Sequence, residues 1–140
     1  MTDVERANAE LVLSYFKQWE GDFDPAQAYA SHFAPDARLR YESGVQSPVQ
    51  WDMSQWHIGA GEIVAASQIY VDMGMKTLSH IHEVFACGPM VVVHRTDECF
   101  MPGEPDRAVR MIGVFMVING RIVEWSDYYG NRKPEGAGTD

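Results

Sequence analysis

Apolar side chains recur at helical spacing in the first part of the chain. Leu11, Tyr15 and Trp19 stand four residues apart, and Thr2 is followed three residues later by Glu5. The first spacing places side chains on one face of a helix, and the second is that of a capping box at a helix start. The pattern therefore predicts an amphipathic first helix that ends at the glycine after this run.

Two further helices are predicted. Asp24 and Pro25 are residue types preferred at an N-cap and at the first helical position, so a short second helix should begin here. Further along, Ile63, Ala66 and Ile69 again follow helical spacing. They indicate a third helix.

The pattern between the second and third helices is different. The segment ARLRYES alternates, with Leu39 and Tyr41 on one face and two arginines on the other, and this predicts a short strand. The stretch GVQSPVQWDMSQWHIG follows and is rich in Trp and Met. It is predicted to be a loop that carries Trp51, Trp56 and His57.

From Thr77 onward the alternation predicts four strands. They are TLSHIHEVFA, MVVVHRTDECF, VRMIGVFMVI and RIVEWSDYY. Gly88–Pro89 predicts a turn after the first of them. Asn119–Gly120 predicts a tight hairpin between the last two, because such a turn needs a positive φ at both positions.

The hairpin also predicts a register. A tight turn pairs Ile118 with Arg121, and regular counting then places Asp127 opposite Ile112. Gly113 lies between these positions, and a glycine inside a strand often marks a bulge. A bulge there would change the face on which the preceding side chains lie.

Helices followed by a meander predict one α+β domain. Three N-terminal helices should cover one face of a strongly curved, mixed or antiparallel sheet, which gives a cystatin-like cone with an interior. This domain is expected to span residues 1–130. Residues 131–140 are expected to form a flexible C-terminal tail.

Composition and charge narrow the possible partners. The chain has 140 residues, 46% of them hydrophobic, and a net charge of -9 with a pI near 4.9. It lacks the basic patch that nucleic acid or an anionic membrane would need, so a small hydrophobic molecule is the expected partner. Without a leader-like start or a long apolar run, a cytoplasmic protein is expected. Cys87 and Cys99 have no metal-type spacing and are expected to be buried free thiols.

One predicted strand carries charge on an apolar face. In VVVHRTDECF, alternation places Arg95 and Asp97 on the same side as Val91, Val93 and Cys99. Burying charge is unfavourable unless the charges are paired and hydrogen-bonded. This strand is therefore a candidate site.

The last strand has the same anomaly. In RIVEWSDYYG, Val123, Trp125, Asp127 and Tyr129 share one face, which is apolar except for the carboxylate. Two carboxylates near Arg95 would titrate at different pH and divide into an acid and a base. A purely structural ion-pair network is the alternative interpretation.

Three segments of the chain resemble a known family: HRTDECF, MIGVFMVINGRIVEW and EWSDYYG. The family is the limonene-1,2-epoxide hydrolase branch of the SnoaL-like, nuclear transport factor 2-like superfamily. The resemblance implies that Asp97 is the acid that protonates an epoxide oxygen. It implies that Asp127 is the base that deprotonates water, with Arg95 as the bridge. It also implies a homodimer, no cofactor and no metal. Pocket-lining residues implied or expected are Leu39, Trp56, His57, Cys99, Met111, Trp125 and Tyr129.

The chain departs from this family at the first strand. The family holds its water with a tyrosine and an asparagine two residues apart, whereas Leu39 and Tyr41 stand here. Tyr41 and Ser43 are the candidates for positioning water or substrate. Without a fixed water the same groups could serve a lyase, isomerase or cyclase, for example a formaldehyde-releasing lyase on a lignin-type aromatic. A non-catalytic ligand-binding module is a third hypothesis.

The histidines are less informative. His80 and His82 share a face of one strand, but no carboxylate cluster accompanies them in the sequence, so a structural role is favoured over a metal pair. His94 lies opposite to Arg95 and is expected to be structural. His57 is expected near the mouth of the cone, where loops often contact substrates.

Overall fold

The computed structural model describes residues 1–42 and 56–128, and at residues 41 and 42 it describes the backbone. In this part of the chain, three helices and a six-stranded curved sheet form the α+β cone that the sequence predicts. The elements are α1 (Asp3–Gln18), α2 (Pro25–His32), β1 (Phe33–Glu42), β2 (His57–Ile58), α3 (Gly59–Asp72), β3 (Lys76–Cys87), β4 (Met90–Phe100), β5 (Arg107–Ile118) and β6 (Arg121–Tyr128).

The first two helices start at the predicted caps. The Thr2 hydroxyl accepts a hydrogen bond from the Glu5 amide, and the Glu5 carboxylate accepts one from the Thr2 amide, which completes the capping box. At α2, the Asp24 carboxylate accepts from the Gln27 amide, and Pro25 opens the helix. Both boundaries therefore follow from local hydrogen bonding.

The strand order of the sheet is β2-β1-β6-β5-β4-β3. The four strands from β3 to β6 form the predicted antiparallel meander. Strand β1 begins at Phe33, earlier than predicted, and lies parallel to β6. His57 and Ile58 form the short strand β2 against β1, so the loop prediction is wrong at these two residues.

The register of the final hairpin differs from regular counting. Ile118 pairs with Arg121 as predicted, and both turn residues have positive φ. Asp127, however, lies opposite Gly113 and not Ile112. The irregularity is at Met116 and Val117 and places an extra residue in β6, so the bulge is not at Gly113.

The core lies between the helices and the inner face of the sheet. The bulge in β6 brings Ile122 to this face in place of Val123. Helices supply Val12, Tyr15, Phe16, Ala28, Tyr29 and Ile63, and strands supply Phe33, Leu39, Val91, Val93, Phe115, Val117, Ile122 and Trp125. The aromatic members meet mostly edge to face, as Tyr15 does with Trp125 at a ring distance of 5.3 Å.

Several other predictions can be placed on this fold. Both cysteines are free thiols, but Cys87 is exposed because it faces outward at the end of β3, so its predicted burial is wrong. Ser43, Tyr129, most of the Trp-rich loop and the tail at residues 131–140 lie outside the described residues. In the described chain, no helix has the length and apolarity that a membrane crossing requires.

Candidate active site

A guanidinium and two carboxylates meet on the inner face of the sheet. Arg95 and Asp97 stand two residues apart on β4, and Asp127 stands on β6 with β5 between these strands. The exposed fraction is 2% for Arg95, 9% for Asp97 and 1% for Asp127. The structure thus brings together three buried charged residues that the sequence singles out.

Asp127 accepts hydrogen bonds from three N–H groups. Arg95 holds it at both oxygens, with Nη1 at 3.0 Å from Oδ1 and Nη2 at 2.9 Å from Oδ2. The indole Nε1 of Trp125 donates to Oδ1 at 2.8 Å. Because N–H groups can only donate here, all three stabilise the carboxylate form.

Asp97 is held through one oxygen. Its Oδ1 accepts from Arg95 Nε at 3.1 Å and from the Ser79 hydroxyl at 2.7 Å. Ser79 lies opposite Asp97 in the β3–β4 register, so it shares the inner face. Ser79 is not identified from the sequence, because the pairing partner of Asp97 is known only once the register is known.

The Arg95 guanidinium is also packed by apolar groups. Its Cζ lies 4.4 Å from the centre of the Phe16 ring of α1, and its Nη2 lies 2.9 Å from the Met111 sulfur of β5. Burial disfavours the charged form, but Asp127 and Asp97 outweigh it and raise the pKa of Arg95. The arginine therefore remains a fixed cation.

A glycine makes the approach of these charges possible. Gly113 of β5 lies between Val93 and Asp127 in the sheet. A Cβ at this position would lie 2.9 Å from Arg95 Nη1, 2.9 Å from Asp127 Oδ1 and 2.8 Å from the Phe115 ring. Any side chain would enter the space that the ion pair occupies.

Burial dominates the titration of the base candidate. Desolvation raises the pKa of Asp127 above its ordinary value, against the opposing effects of Arg95 and of the Trp125 N–H. A raised pKa makes a carboxylate a stronger base at neutral pH. A buried and charged arrangement of this kind is typical of catalytic sites, although structural ion pairs also produce it.

Most of the other predicted pocket residues lie on or near the inner face. Leu39 is in the core, opposite Trp125 on β6 and His57 on β2, and His57 is buried on the same side. Met111 contacts Arg95, as described above. Cys99 follows Asp97 on the same face, and burial raises the pKa of its thiol.

Trp56 lies elsewhere, and its predicted place in the pocket is wrong. The Cζ atoms of Arg38 and Arg40 each lie 4.3 Å from the centre of its ring. These arginines alternate with Leu39 and so belong to the outer face of β1. Trp56 directly precedes β2, and its ring contacts these outer-face arginines, whereas the next residue, His57, is buried on the inner side.

The water-positioning candidates are only partly within the described chain. The backbone of Tyr41 lies directly beside Asp127 in the parallel β1–β6 register. The tyrosine that the sequence suggests for positioning water or substrate thus has its backbone next to the predicted base. Ser43 lies beyond the described part of β1.

The histidines of the sheet form cross-strand pairs. His80 pairs with Glu98, and His82 bonds the Thr96 hydroxyl at 2.7 Å. His94 accepts from Arg110 Nε at 2.9 Å. Within the described residues no group of His, Cys, Asp and Glu has the arrangement of a metal site. Structural roles for these histidines are consistent with the contacts.

Solved structures with the same fold include proteins of several kinds. An M. tuberculosis LEH-like epoxide hydrolase has a TM-score of 0.69 at 19% identity, with 92% of this chain and 82% of that chain covered. A Jannaschia sp. CCS1 protein described as a SnoaL-like polyketide cyclase has 0.69 at 17%, covering 91% and 88%. An NTF2-like protein of unknown function from Burkholderia pseudomallei K96243 has 0.70 at 20%, covering 88% and 90%.

These likenesses show the fold. The chain has the α+β cone fold of these proteins, two of which are described as SnoaL-like and NTF2-like. No family model and no curated protein matches the chain. The reaction must therefore be inferred from the site.

Proposed function

We propose that this protein is a cofactor-independent hydrolase that opens a small hydrophobic epoxide with water. One observation carries the proposal: a single buried guanidinium donates hydrogen bonds to two carboxylates from different strands. Water addition to an epoxide needs a base for the water and an acid for the departing oxygen. Two carboxylates biased by one cation can divide these roles.

Asp127 is the proposed base, Asp97 the proposed acid and Arg95 the bridge. Asp127 removes a proton from water as the water oxygen attacks an epoxide carbon. The C–O bond breaks, and Asp97 delivers its proton to the leaving oxygen, which gives a diol. A proton then passes from Asp127 to Asp97 through solvent before the next turnover. No covalent intermediate with the enzyme is required.

The surroundings support this division of roles. The N–H donors around Asp127 favour its charged form, and burial makes that form a stronger base. Asp97 is the more exposed of the two carboxyl groups. Nearby apolar residues fit the body of a hydrophobic substrate and keep the dielectric low, which strengthens the interactions with the charged groups. Tyr41, with Ser43 beyond it, is the proposed holder of the attacking water.

Turnover in ¹⁸O-labelled water tests the proposal. Limonene oxide, styrene oxide and cyclohexene oxide form the panel, and mass spectrometry detects labelled diol. Asp127→Asn and Asp97→Asn should each reduce the rate by about 10²-fold or more, because each removes one positioned proton transfer. Asp36→Asn, a matched change at an exposed residue of β1, should keep full activity. Full activity of Asp127→Asn or of Asp97→Asn would contradict the mechanism.

A second candidate is a lyase, isomerase or cyclase. Leu39 favours it, because this buried apolar side chain stands on the inner face of the first strand and cannot bind water. Asp127 would then take a proton from an O–H or an activated C–H of the substrate, while Arg95 stabilises the oxyanion. Failure of all three epoxides, together with formaldehyde release from hydroxymethyl aromatics, would support this candidate. Binding of these compounds without turnover would support a ligand-binding module.

We further propose that the partner of the outer sheet face is a second copy of the chain. Phe85, Met90, Ile112 and Tyr128 are exposed on this face across β3 to β6. Contiguous apolar patches commonly mark protein interfaces. Arg110 and several carboxylates also lie on this face, so a two-fold related copy can place opposite charges together.

A further inference from the structure

The Ser79 hydroxyl bonds the proposed acid across the sheet. Ser79 is half-buried on the inner face of β3, directly opposite Asp97. Its Oγ lies 2.7 Å from Asp97 Oδ1, the short distance of a strong O–H···O hydrogen bond. The Ser79 hydroxyl donates to this oxygen, and Arg95 Nε donates to it as well, so Oδ1 accepts two hydrogen bonds.

The two bonds decide which oxygen of Asp97 can carry a proton. A carboxyl oxygen has two acceptor positions, and both positions of Oδ1 are used by Arg95 and Ser79. Among the described side chains, no donor lies at hydrogen-bond distance from Oδ2. The Asp97 side chain retains 12% exposure, whereas that of Asp127 has 1%. Protonated Asp97 should therefore carry its proton on Oδ2.

We propose that Ser79 is a positioning residue that directs the acidic proton of Asp97 to Oδ2. The inference rests on the proposed hydrolase function. In the reaction, the Oδ2–H bond breaks as the epoxide C–O bond breaks, and the new carboxylate is stabilised at Oδ1 by Ser79 and Arg95. Ser79 itself neither gains nor loses a proton. It acts by fixing the acid and by stabilising the anion that the acid becomes.

Several charged or titratable groups face Asp97. Arg95 and Cys99 lie on its own strand, Asp127 lies across β5 on β6, and Arg107 stands opposite Cys99 at the start of β5. Ser79 is the contribution of β3. Loss of its hydroxyl removes one of the two described donors that stabilise the carboxylate form of Asp97 at Oδ1.

The test compares Ser79→Ala with Ser79→Thr, which keeps a hydroxyl on a side chain suited to strands. Ser79→Ala should lower kcat for epoxide opening about tenfold with KM little changed, and it should move the alkaline limb of the kcat profile upward. Ser79→Thr should restore both. Thr96→Ala is the matched control, because it removes another hydroxyl that bonds across β3 and β4, to His82 on the outer face.

A readout without turnover separates this inference from the proposed function. Infrared difference spectra recorded across an acid titration should show the Asp97 carboxylic C=O band, which Asp97→Asn identifies. Ser79→Ala should shift this band in frequency and in pH midpoint, even if no epoxide is a substrate. An unchanged band and unchanged pH profile in Ser79→Ala would overturn the inference, and this outcome is distinct from absence of diol in the wild type.

Discussion

Gly113 sets the distance at which the charged side chains of the site can meet. The ion pair of Arg95 and Asp127 crosses β5 at the one residue of that strand without a Cβ. The sequence pattern associates this glycine with a bulge, whereas its role is to leave space. A pattern of residues does not reveal which side chains pass over a glycine.

Gly113→Ala is expected to be destabilising by about 1–3 kcal/mol, because the new methyl group would overpack against a rigid buried pair. Urea unfolding measures this change, and turnover should fall with it because Arg95 and Asp127 are displaced. Gly21→Ala is the control, since a methyl group added there would meet nothing within 4 Å. Equal stability of the two variants would show that the contact at Gly113 is easily relieved.

Asp127 provides the pH dependence of the proposed reaction. Its pKa is raised by burial above the ordinary 3.8, and the base must be ionised to accept a proton. Activity should therefore be lost on acidification at a pH above 3.8, and it should return as pH rises through the folded-state pKa of Asp127. A kcat/KM profile measures the acidic limb. A midpoint at or below 3.8 would contradict the role of burial.

At this scale the sequence predicts the charged residues better than their partners. Alternation along single strands is enough to place Arg95, Asp97 and Asp127 on apolar faces. Ser79 and the Phe16 ring could not be predicted, because they reach the site from other elements, through sheet register and helix packing. The same limit explains why Trp56 is misplaced, since its position depends on the pairing of the following strand β2 with β1.

Among the elements, α1 is joined to the sheet by a carboxylate. Glu5 completes the capping box, and its Oε2 also accepts from the Gly88 amide at 2.8 Å, in the turn between β3 and β4. These backbone hydrogen bonds lower the pKa of Glu5 below its ordinary 4.5. One side chain thus connects the helix start to a turn that is distant in sequence.

Glu5→Gln should lower the Tm at neutral pH, because a neutral amide is a weaker acceptor than a carboxylate. The folded-state pKa is depressed, so the stabilising effect is present above pH 4.5 and is lost as pH falls through the folded-state value. The difference in Tm between wild type and Glu5→Gln should accordingly shrink in acid. Thermal melts from pH 7 to pH 3 follow it, with Glu10→Gln on the same helix as control.

Element boundaries follow from the sequence where local chemistry determines them. Caps and the Asn119–Gly120 turn depend on neighbouring residues and are predicted at the residues where they occur. The bulge in β6 and the parallel pairing of β1 with β6 depend on contacts between distant segments. Local periodicity contains no signal for either of them.

At the scale of the whole molecule, a substitution on the exposed outer face of the sheet can test whether two copies of the chain associate. Phe85 is 58% exposed near the end of β3, and its neighbours on β4 and β5 are apolar. Phe85→Lys should convert a dimer to a monomer in sedimentation experiments, because it introduces a charge into the proposed interface. Val4→Lys, at an exposed position of α1, should leave the association unchanged. If the wild type is a monomer at all concentrations, the proposed dimer does not form.

The position of β5 between the charged strands also has a consequence for folding kinetics. Arg95 and Asp127 are 32 residues apart in the chain, and their bonds form only after three strands have adopted the final register. A partly assembled sheet would have to leave one charge in water or bury it alone, which is unfavourable. The hydrogen bonds of Arg95 with Asp97 and Asp127 should therefore form after the rate-limiting barrier of folding. Their contribution to stability should slow unfolding more than it accelerates refolding. The three charged side chains of the site would thus contribute to the kinetic stability of the folded sheet.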